Sequence, residues 1–164
     1  MSARRRSYES GHNPKCLVVI DDTPESDRAL YFATRWAARM QGGVVMLRVI
    51  DLHDSQQQWL GVADIMKAEA TDDANAALDR AVNRIQTLAP VPLERVIREG
   101  DAATQIHAAI DGDLDIATLV LAAGTGSDGP GPIIAGLAKT LGTFPIPITI
   151  VPGGLIEADL DALS

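Results

Sequence analysis

The chain contains a glycine-rich segment whose composition suits phosphate binding. The sequence LAAGTGSDGPGP, residues 121–132, places four glycines within eight positions directly after an apolar run. Glycine lets the backbone approach a ligand closely, and free backbone amides can donate hydrogen bonds to phosphate oxygens. Gly124, Gly126 and Gly129 also satisfy the G-x-G-x-x-G pattern of dinucleotide-binding loops. The segment is therefore the first candidate for a ligand site.

Two features argue against a standard nucleotide loop. In the dinucleotide pattern the third glycine opens a helix that packs on its strand, whereas Pro130-Gly131-Pro132 follows here. The segment also comes late in the chain, with no second nucleotide-binding half behind it. A phosphate loop of the G-x-x-x-x-G-K-[ST] type is excluded because the chain has no Gly-Lys pair. The segment is either a modified nucleotide loop or only a turn.

A second polar segment, DDTPES at residues 21–26, follows the first apolar run. Asp21 and Asp22 are similar to the acidic pair that holds magnesium in receiver domains. Such a site also needs an Asp closing the third strand and a Lys closing the fifth, and the segments RVIREG and ITIVPG supply neither. The acidic pair alone therefore does not predict a receiver domain.

No set of residues forms a catalytic or metal-binding motif. Ser26, Ser127, His53 and His107 show no nucleophile and base pattern. The three histidines and the single cysteine have no ligand spacing. The sequence predicts neither a catalytic residue nor a metal site, which favours a binding protein over an enzyme.

Alternating apolar runs and amphipathic segments predict an α/β fold. The predicted strands are residues 16–20, 44–50, 93–98, 117–123 and 146–151. The first helix is expected to be capped by Asp22 or Thr23. A second helical pattern begins at Trp59, is interrupted by the polar residues 71–73 and continues after them. The last helix is expected over residues 133–141. This order predicts a parallel sheet with helices on both faces. Both polar segments should then lie at the carboxyl edge of the strands, where such sheets bind ligands.

Length and charge limit the classes of partner. The chain has 164 residues, enough for one domain, and a formal net charge of −8, which argues against nucleic acid and anionic membranes. No apolar stretch approaches the roughly 20 residues of a membrane span. We expect residues 1–14 to be a disordered basic arm, residues 15–152 the domain, and residues 153–164 an acidic, partly ordered tail. The single Cys16 excludes an intramolecular disulfide and favours the cytoplasm.

Three segments together resemble the universal stress protein family. They are VVIDDTPESDRAL at residues 18–30, MLRVID at 46–51, and TLVLAAGTG through PIPITIVP at 118–152. The resemblance implies an open five-stranded parallel sheet, a homodimer formed through the last strand (here Ile146 to Val151), and ATP binding in one branch of the family. The apolar last strand is also expected at a sheet edge, where an unpaired strand can bind a partner.

The ATP-binding branch carries the motif G-x2-G-x9-G-[ST] after its fourth strand. Aligned on that strand, the motif falls on Ala123, Gly126, Gly136 and Leu137, so its spacing is kept while two of its residue types are not. Leu137 replaces the hydroxyl that would complete the phosphate shell, although Thr125, Ser127 or Thr140 could substitute for it. Gly124, Gly129 and Gly131 could supply amides in another register.

The resemblance also assigns residues outside the glycine segment. Asp21 matches the acid that faces the nucleotide, and Val49 matches the residue whose backbone approaches the base. Asp22 stands where the ATP-binding branch has glycine, and its carboxylate would repel a triphosphate unless magnesium bridges them.

Three functions remain open from the sequence. The first is a dimeric, cytoplasmic universal stress protein that binds ATP or another adenine nucleotide, with Mg²⁺ as a conditional bridge. The second is a nucleotide-free regulatory module that binds a partner protein. The third, the least favoured, is a slow hydrolase of nucleotides or phosphoesters.

Overall fold

Five parallel strands form one sheet, which confirms the predicted α/β fold. The structure is a computed structural model and describes residues 3–51 and 60–164. The strands are β1 (Lys15–Val19), β2 (Gly43–Ile50), β3 (Leu93–Glu99), β4 (Ile116–Ala123) and β5 (Ile148–Pro152), in the order β3-β2-β1-β4-β5. All four neighbouring pairs are parallel. The strand order changes direction at β1 and β4.

Helices cover both faces of this sheet. They are α1 (Ser26–Met40), α2 (Leu60–Leu88), α3 (Ala102–Gly112), α4 (Pro132–Leu137) and α5 (Glu157–Leu163), and a 3-10 helix, Ala138–Thr143, follows α4. One core lies between the sheet and α1, α2 and α5, and the other lies between the sheet and α3 and α4. β1 shows the division, because Cys16 and Val18 pack in the first core and Leu17 and Val19 in the second. Because both faces of β1 are buried, its residues from Cys16 to Val19 are all apolar.

Cys16 is fully buried at the centre of the sheet. Burial raises the pKa of its thiol far above the ordinary value because the apolar surroundings disfavour the thiolate. The cysteine is therefore a packing residue rather than a reactive one.

Several helix boundaries differ from the sequence prediction. The helix α2 is continuous through residues 71–73. There the Thr71 hydroxyl donates to the Lys67 carbonyl, and the side-chain amide of Asn75 donates to the Thr71 carbonyl. These polar side chains are satisfied inside the helix rather than ending it. The predicted helix over residues 133–141 divides into α4 and the 3-10 helix. Trp59, the expected start of α2, lies outside the described residues.

The prediction of a side-chain cap on α1 is wrong. The residue preceding α1 is Glu25, and no side chain caps this helix. The Thr23 hydroxyl donates to Asp21, and the Asp22 carboxylate binds Arg48, so neither side chain is available to cap the helix. At α3 a side chain does cap the helix, because the Asp101 carboxylate accepts from the Thr104 amide at 3.0 Å.

The described residues near both ends of the chain, 3–14 and 153–164, make contacts with the domain. The Arg6 amide donates to the Leu114 carbonyl at 2.9 Å, and Ser7 is buried. At the other end, Leu160 of α5 is fully buried against α1 and α2. Within the described residues, no helix combines the length and apolar character needed to cross a bilayer.

Candidate functional site

The loops after β1 and β4 meet at the carboxyl edge of the sheet. β1 and β4 are neighbouring strands, and the direction of the strand order changes between them, so the loops that follow them flank the usual ligand position of such sheets. Asp21, Thr23 and Ser26 line the crevice from one side, and Pro130, Gly131 and Ile133 line it from the other. The structure therefore brings the two polar segments of the sequence together.

The crevice between these loops is narrow. Its volume is about 30 Å³, which is room for about one or two water molecules. With the loops in this position no nucleotide fits between them. A nucleotide fits only if the glycine-rich loop, residues 124–131, moves away from the β1–α1 loop.

Asp21 organises the β1–α1 loop. Its carboxylate accepts hydrogen bonds from the Thr23 amide at 3.0 Å and from the Thr23 hydroxyl, and the Asp21 amide donates to the Ser26 hydroxyl at 3.4 Å. Asp side chains commonly bond to the backbone two residues on and so close a turn. Asp21 therefore fixes the shape of one wall of the crevice.

Asp22 faces β2 rather than the crevice. Both of its carboxylate oxygens accept from the Arg48 guanidinium, at 2.8 and 3.0 Å, and Arg48 also donates to the Ile20 carbonyl. These hydrogen bonds from Arg48 lower the pKa of Asp22. Because Arg48 offsets its charge, Asp22 opposes a bound phosphate less than the sequence suggests. The sequence signal for this pair was an arginine near the end of a buried strand.

Val49 lies on β2, outside the narrow crevice. It pairs with Arg98 of β3 and packs, partly buried, on the core beneath α3 and α4. The structure thus places Val49 on the strand beside β1, at the same edge of the sheet as Asp21.

Hydrogen bonds within the glycine-rich loop fold it onto itself. The Gly124 amide donates to the Pro130 carbonyl at 3.1 Å, and the Gly129 amide donates to the Gly126 carbonyl at 3.4 Å. Gly129 and Gly131 have φ angles of +93° and +113°, which L side chains rarely adopt. The first hydrogen bond has an ordinary length and the second is long, so one ordinary and one weak hydrogen bond fold the loop.

The remaining motif positions differ in their surroundings. Ala123 ends β4, where its carbonyl accepts from the Gly153 amide at 2.8 Å. Gly126 and Gly136 have open space where a side chain would be, and the methyl group of Thr125 lies beside Gly153 and Gly154. The open space at Gly126 leaves its backbone accessible to a ligand.

Leu137 is a core residue. Only 1% of its surface is exposed, and it packs with Ile106 and Ile110 of α3. The Thr140 hydroxyl, a candidate substitute, donates to the Leu137 carbonyl at 3.1 Å. The position that carries a hydroxyl in the ATP motif is thus used for packing.

Glu25 was not predicted as a site residue. One of its carboxylate oxygens lies 3.1 Å from the position that a Cβ atom on Gly124 would occupy, and its own Cβ lies 2.9 Å from the corresponding position on Gly153. Glu25 therefore brings a negative charge against the glycine-rich loop. No Lys or Arg lines the narrow crevice, so this charge is not offset there.

A larger cavity of about 200 Å³ adjoins the crevice on the side of α2. Asp21, Thr23 and Ser26 line both spaces, and Arg80 and Arg84 line the larger one. Arg84 is engaged with Asp27 and Glu157. Opening of the glycine-rich loop would extend a space that already reaches Asp21.

His107 does not line the crevice between the two loops. His107 packs on Phe144, with ring centroids 4.7 Å apart, and His53 lies outside the described residues. Within residues 3–51 and 60–164, no three His, Cys, Asp or Glu side chains cluster in a way that could hold a metal ion.

Comparison with known proteins agrees with this fold. Residues 12–152 match the model of the universal stress protein family, and the chain therefore belongs to that family. No curated protein matches the chain.

Solved structures of the family share the fold. The universal stress protein UspA from Lactobacillus plantarum is 19% identical, with a TM-score of 0.69 over 91% of this chain and 99% of that one. A universal stress protein in complex with cAMP is 15% identical, with a TM-score of 0.62 over 86% and 98%. One from Archaeoglobus fulgidus in complex with dAMP is 17% identical, with a TM-score of 0.61 over 84% and 97%.

Proposed function

We propose that this universal stress protein binds an adenine nucleotide between the β1–α1 loop and the glycine-rich loop, and that it acts through a change of shape rather than turnover. The observation that carries the proposal is the meeting of the two loops at the carboxyl edge of β1 and β4. Complexes of similar structures with cAMP and dAMP support the choice of an adenine nucleotide. The buried, unpaired Cys16 supports a cytoplasmic location.

Binding would require the glycine-rich loop to open. The hydrogen bonds that close the loop are few, and Gly126 and Gly129 have open space around them. Opening would free the Gly124 and Gly129 amides, which donate within the closed loop, to donate to a phosphate. The ordering of this loop around a nucleotide is the proposed signal.

The charge of the crevice favours a short phosphate chain. Asp21 and Glu25 line the crevice and no Lys or Arg does so. Each further phosphate adds negative charge near these carboxylates, which costs about 1 kcal/mol or more where water is partly excluded. We therefore propose a nucleoside monophosphate as the preferred ligand, with ATP bound more weakly and only with Mg²⁺ as a bridge.

Titration calorimetry of nucleotide-free protein tests this function. We expect AMP to bind more tightly than ADP, and ADP more tightly than ATP, with Mg²⁺ raising the affinity for ATP. Glu25→Gln should reduce the difference in affinity between AMP and ATP because it removes a negative charge from the crevice. Glu69→Gln, on the exposed surface of α2, is the matched control and should change nothing. Tightest binding of ATP without Mg²⁺ would contradict the proposal.

The narrowness of the crevice favours a second candidate, the nucleotide-free module that binds a partner protein. If the glycine-rich loop stays closed, the crevice keeps a volume of about 30 Å³, and only the outer surface of the loop is available to a partner protein. Absence of heat with all three nucleotides at millimolar concentration would favour this module.

We also propose that β5 pairs with β5 of a second copy to form a homodimer. β5 lies at the edge of the sheet, and Ile150 is 42% exposed on it. An unpaired edge strand with exposed apolar side chains readily binds another strand. Sedimentation at micromolar concentration should show a dimer, and Ile150→Lys should give a monomer. A wild-type chain that sediments as a monomer would overturn this proposal.

A further inference from the structure

The amino-terminal arm, residues 3–14, docks beside the turn between α3 and β4. The Nη1 atom of Arg5 donates to the carbonyl oxygens of Ile110 at 2.7 Å and Asp113 at 3.0 Å. The Arg6 amide donates to the Leu114 carbonyl. These contacts hold the arm at the amino ends of the strands, at the opposite edge from the glycine-rich loop.

Docking leaves three polar atoms of the arm buried and without a hydrogen-bond partner. They are Nε and Nη2 of Arg5 and Oγ of Ser7, and Ser7 is only 2% exposed. The guanidinium is charged at every physiological pH, yet no ion pair joins Arg5 to a carboxylate in the part of the chain that the structure describes. Buried charges and donors are ordinarily paired, so the docked arm has unused capacity to bind an acceptor.

A cavity of about 340 Å³ lies between the arm and the segment before β5. Arg4, Arg5 and Ser7 line it from the arm, and Pro145, Ile146 and Pro147 form the facing apolar wall. Its volume is within the range of small-molecule sites, which combine an apolar surface with a few converging polar groups.

We propose that this cavity binds a small oxyanion with an apolar body, such as an aromatic carboxylate. The Nε and Nη2 atoms form the edge of Arg5 that matches the two oxygens of a carboxylate or phosphate. Ser7 Oγ supplies a third donor, and Arg4 adds positive charge at the mouth. The three donor atoms are buried in the structure. Binding therefore requires the Arg5 and Ser7 side chains to turn towards the cavity as the anion enters.

The charges around the cavity favour a singly charged anion. Glu9 also lines it, and its carboxylate repels a second negative charge on the ligand. A carboxylate with an apolar ring satisfies Arg5 and contacts the proline wall, whereas inorganic phosphate has no apolar surface to bury. Benzoate is therefore expected to bind more tightly than inorganic phosphate.

Nuclear magnetic resonance of the full-length, ¹⁵N-labelled chain tests this site. Titration with benzoate and with phosphate at constant ionic strength should give saturable shifts of the Arg5 Nε–H signal and of the Ser7 and Tyr8 amides. Arg5→Gln should weaken benzoate binding by about tenfold or more, and Ser7→Ala by about threefold. Arg6→Gln is the matched control, because Arg6 is exposed and does not line the cavity, and it should leave the affinity unchanged.

Ser7→Ala keeps the experiment decisive if Arg5→Gln releases the arm, because it retains the bonds from Arg5 to Ile110 and Asp113. No saturable Arg5 shift with either anion would overturn the proposal, as would equal benzoate affinity in the wild-type and Ser7→Ala chains. These signals lie at the opposite edge of the sheet from the glycine-rich loop, so the outcome is independent of nucleotide binding.

Discussion

Replacing Leu137 by serine is expected to destabilise the domain by about 3–5 kcal/mol and to leave ATP binding no tighter. The substitution restores the hydroxyl of the family's ATP motif, but Leu137 is 1% exposed and packs with Ile106 and Ile110. Truncating a buried leucine costs about 2–5 kcal/mol, and a buried hydroxyl without a partner adds to this cost. Urea unfolding of the two chains, with calorimetry in ATP, measures both effects.

Leu141→Ser is the matched control for this substitution. Leu141 lies four residues further along and is 45% exposed, so serine there should change the free energy of unfolding by less than about 1 kcal/mol. A Leu137→Ser chain as stable as the wild type, with tighter ATP binding, would show that Leu137 lines the phosphate site instead of the core.

Gly153→Ala is expected to destabilise the domain by about 1–3 kcal/mol and to weaken nucleotide binding. A Cβ atom at Gly153 would lie 2.5 Å from the Ala123 carbonyl oxygen and 2.9 Å from the Glu25 Cβ. Glu25 lines the crevice, and the Ala123 carbonyl is backbone at the end of β4 that accepts the Gly153 amide hydrogen bond. Relief of the overlap must move β4, β5 or the start of α1. Thermal unfolding and AMP calorimetry report the two effects.

The neighbouring Gly154 provides the control. A Cβ atom there meets only the Thr125 methyl group, at 3.8 Å, which is an ordinary contact. Gly154→Ala should stay within about 0.5 kcal/mol of the wild type. Equal stability of the two alanine variants would mean that β5 and the β1–α1 loop are not as close as the structure describes.

Local sequence patterns were sufficient to predict the sheet. Residues such as Cys16 to Val19 and Leu119 to Leu121 are apolar at every position, because both faces of a central parallel strand are buried. The alternation with amphipathic helices then allowed one main architecture. The meeting of the loops after β1 and β4 followed from this topology, and from no feature of either loop alone.

The details of the site depended on contacts between residues far apart in the chain. Motif spacing placed Leu137 at a phosphate position, whereas packing against α3 determines its burial. In the sequence Asp22 has no neighbouring positive charge, whereas in the fold β2 places Arg48 within ion-pair distance of it. Glu25 meets Gly124 because β4, which precedes Gly124, lies beside β1 in the sheet. Periodicity contains no information on such pairs.

Amide titration of the ¹⁵N-labelled, nucleotide-free protein with AMP tests whether a nucleotide binds between the two loops. We expect saturable shifts that share one dissociation constant at Asp21, Ser26, Gly126 and Gly129, while the Gly11 signal of the amino-terminal arm stays unchanged. Shifts absent from both loops at millimolar AMP, or present only elsewhere on the domain, would contradict the claim that a nucleotide binds between them.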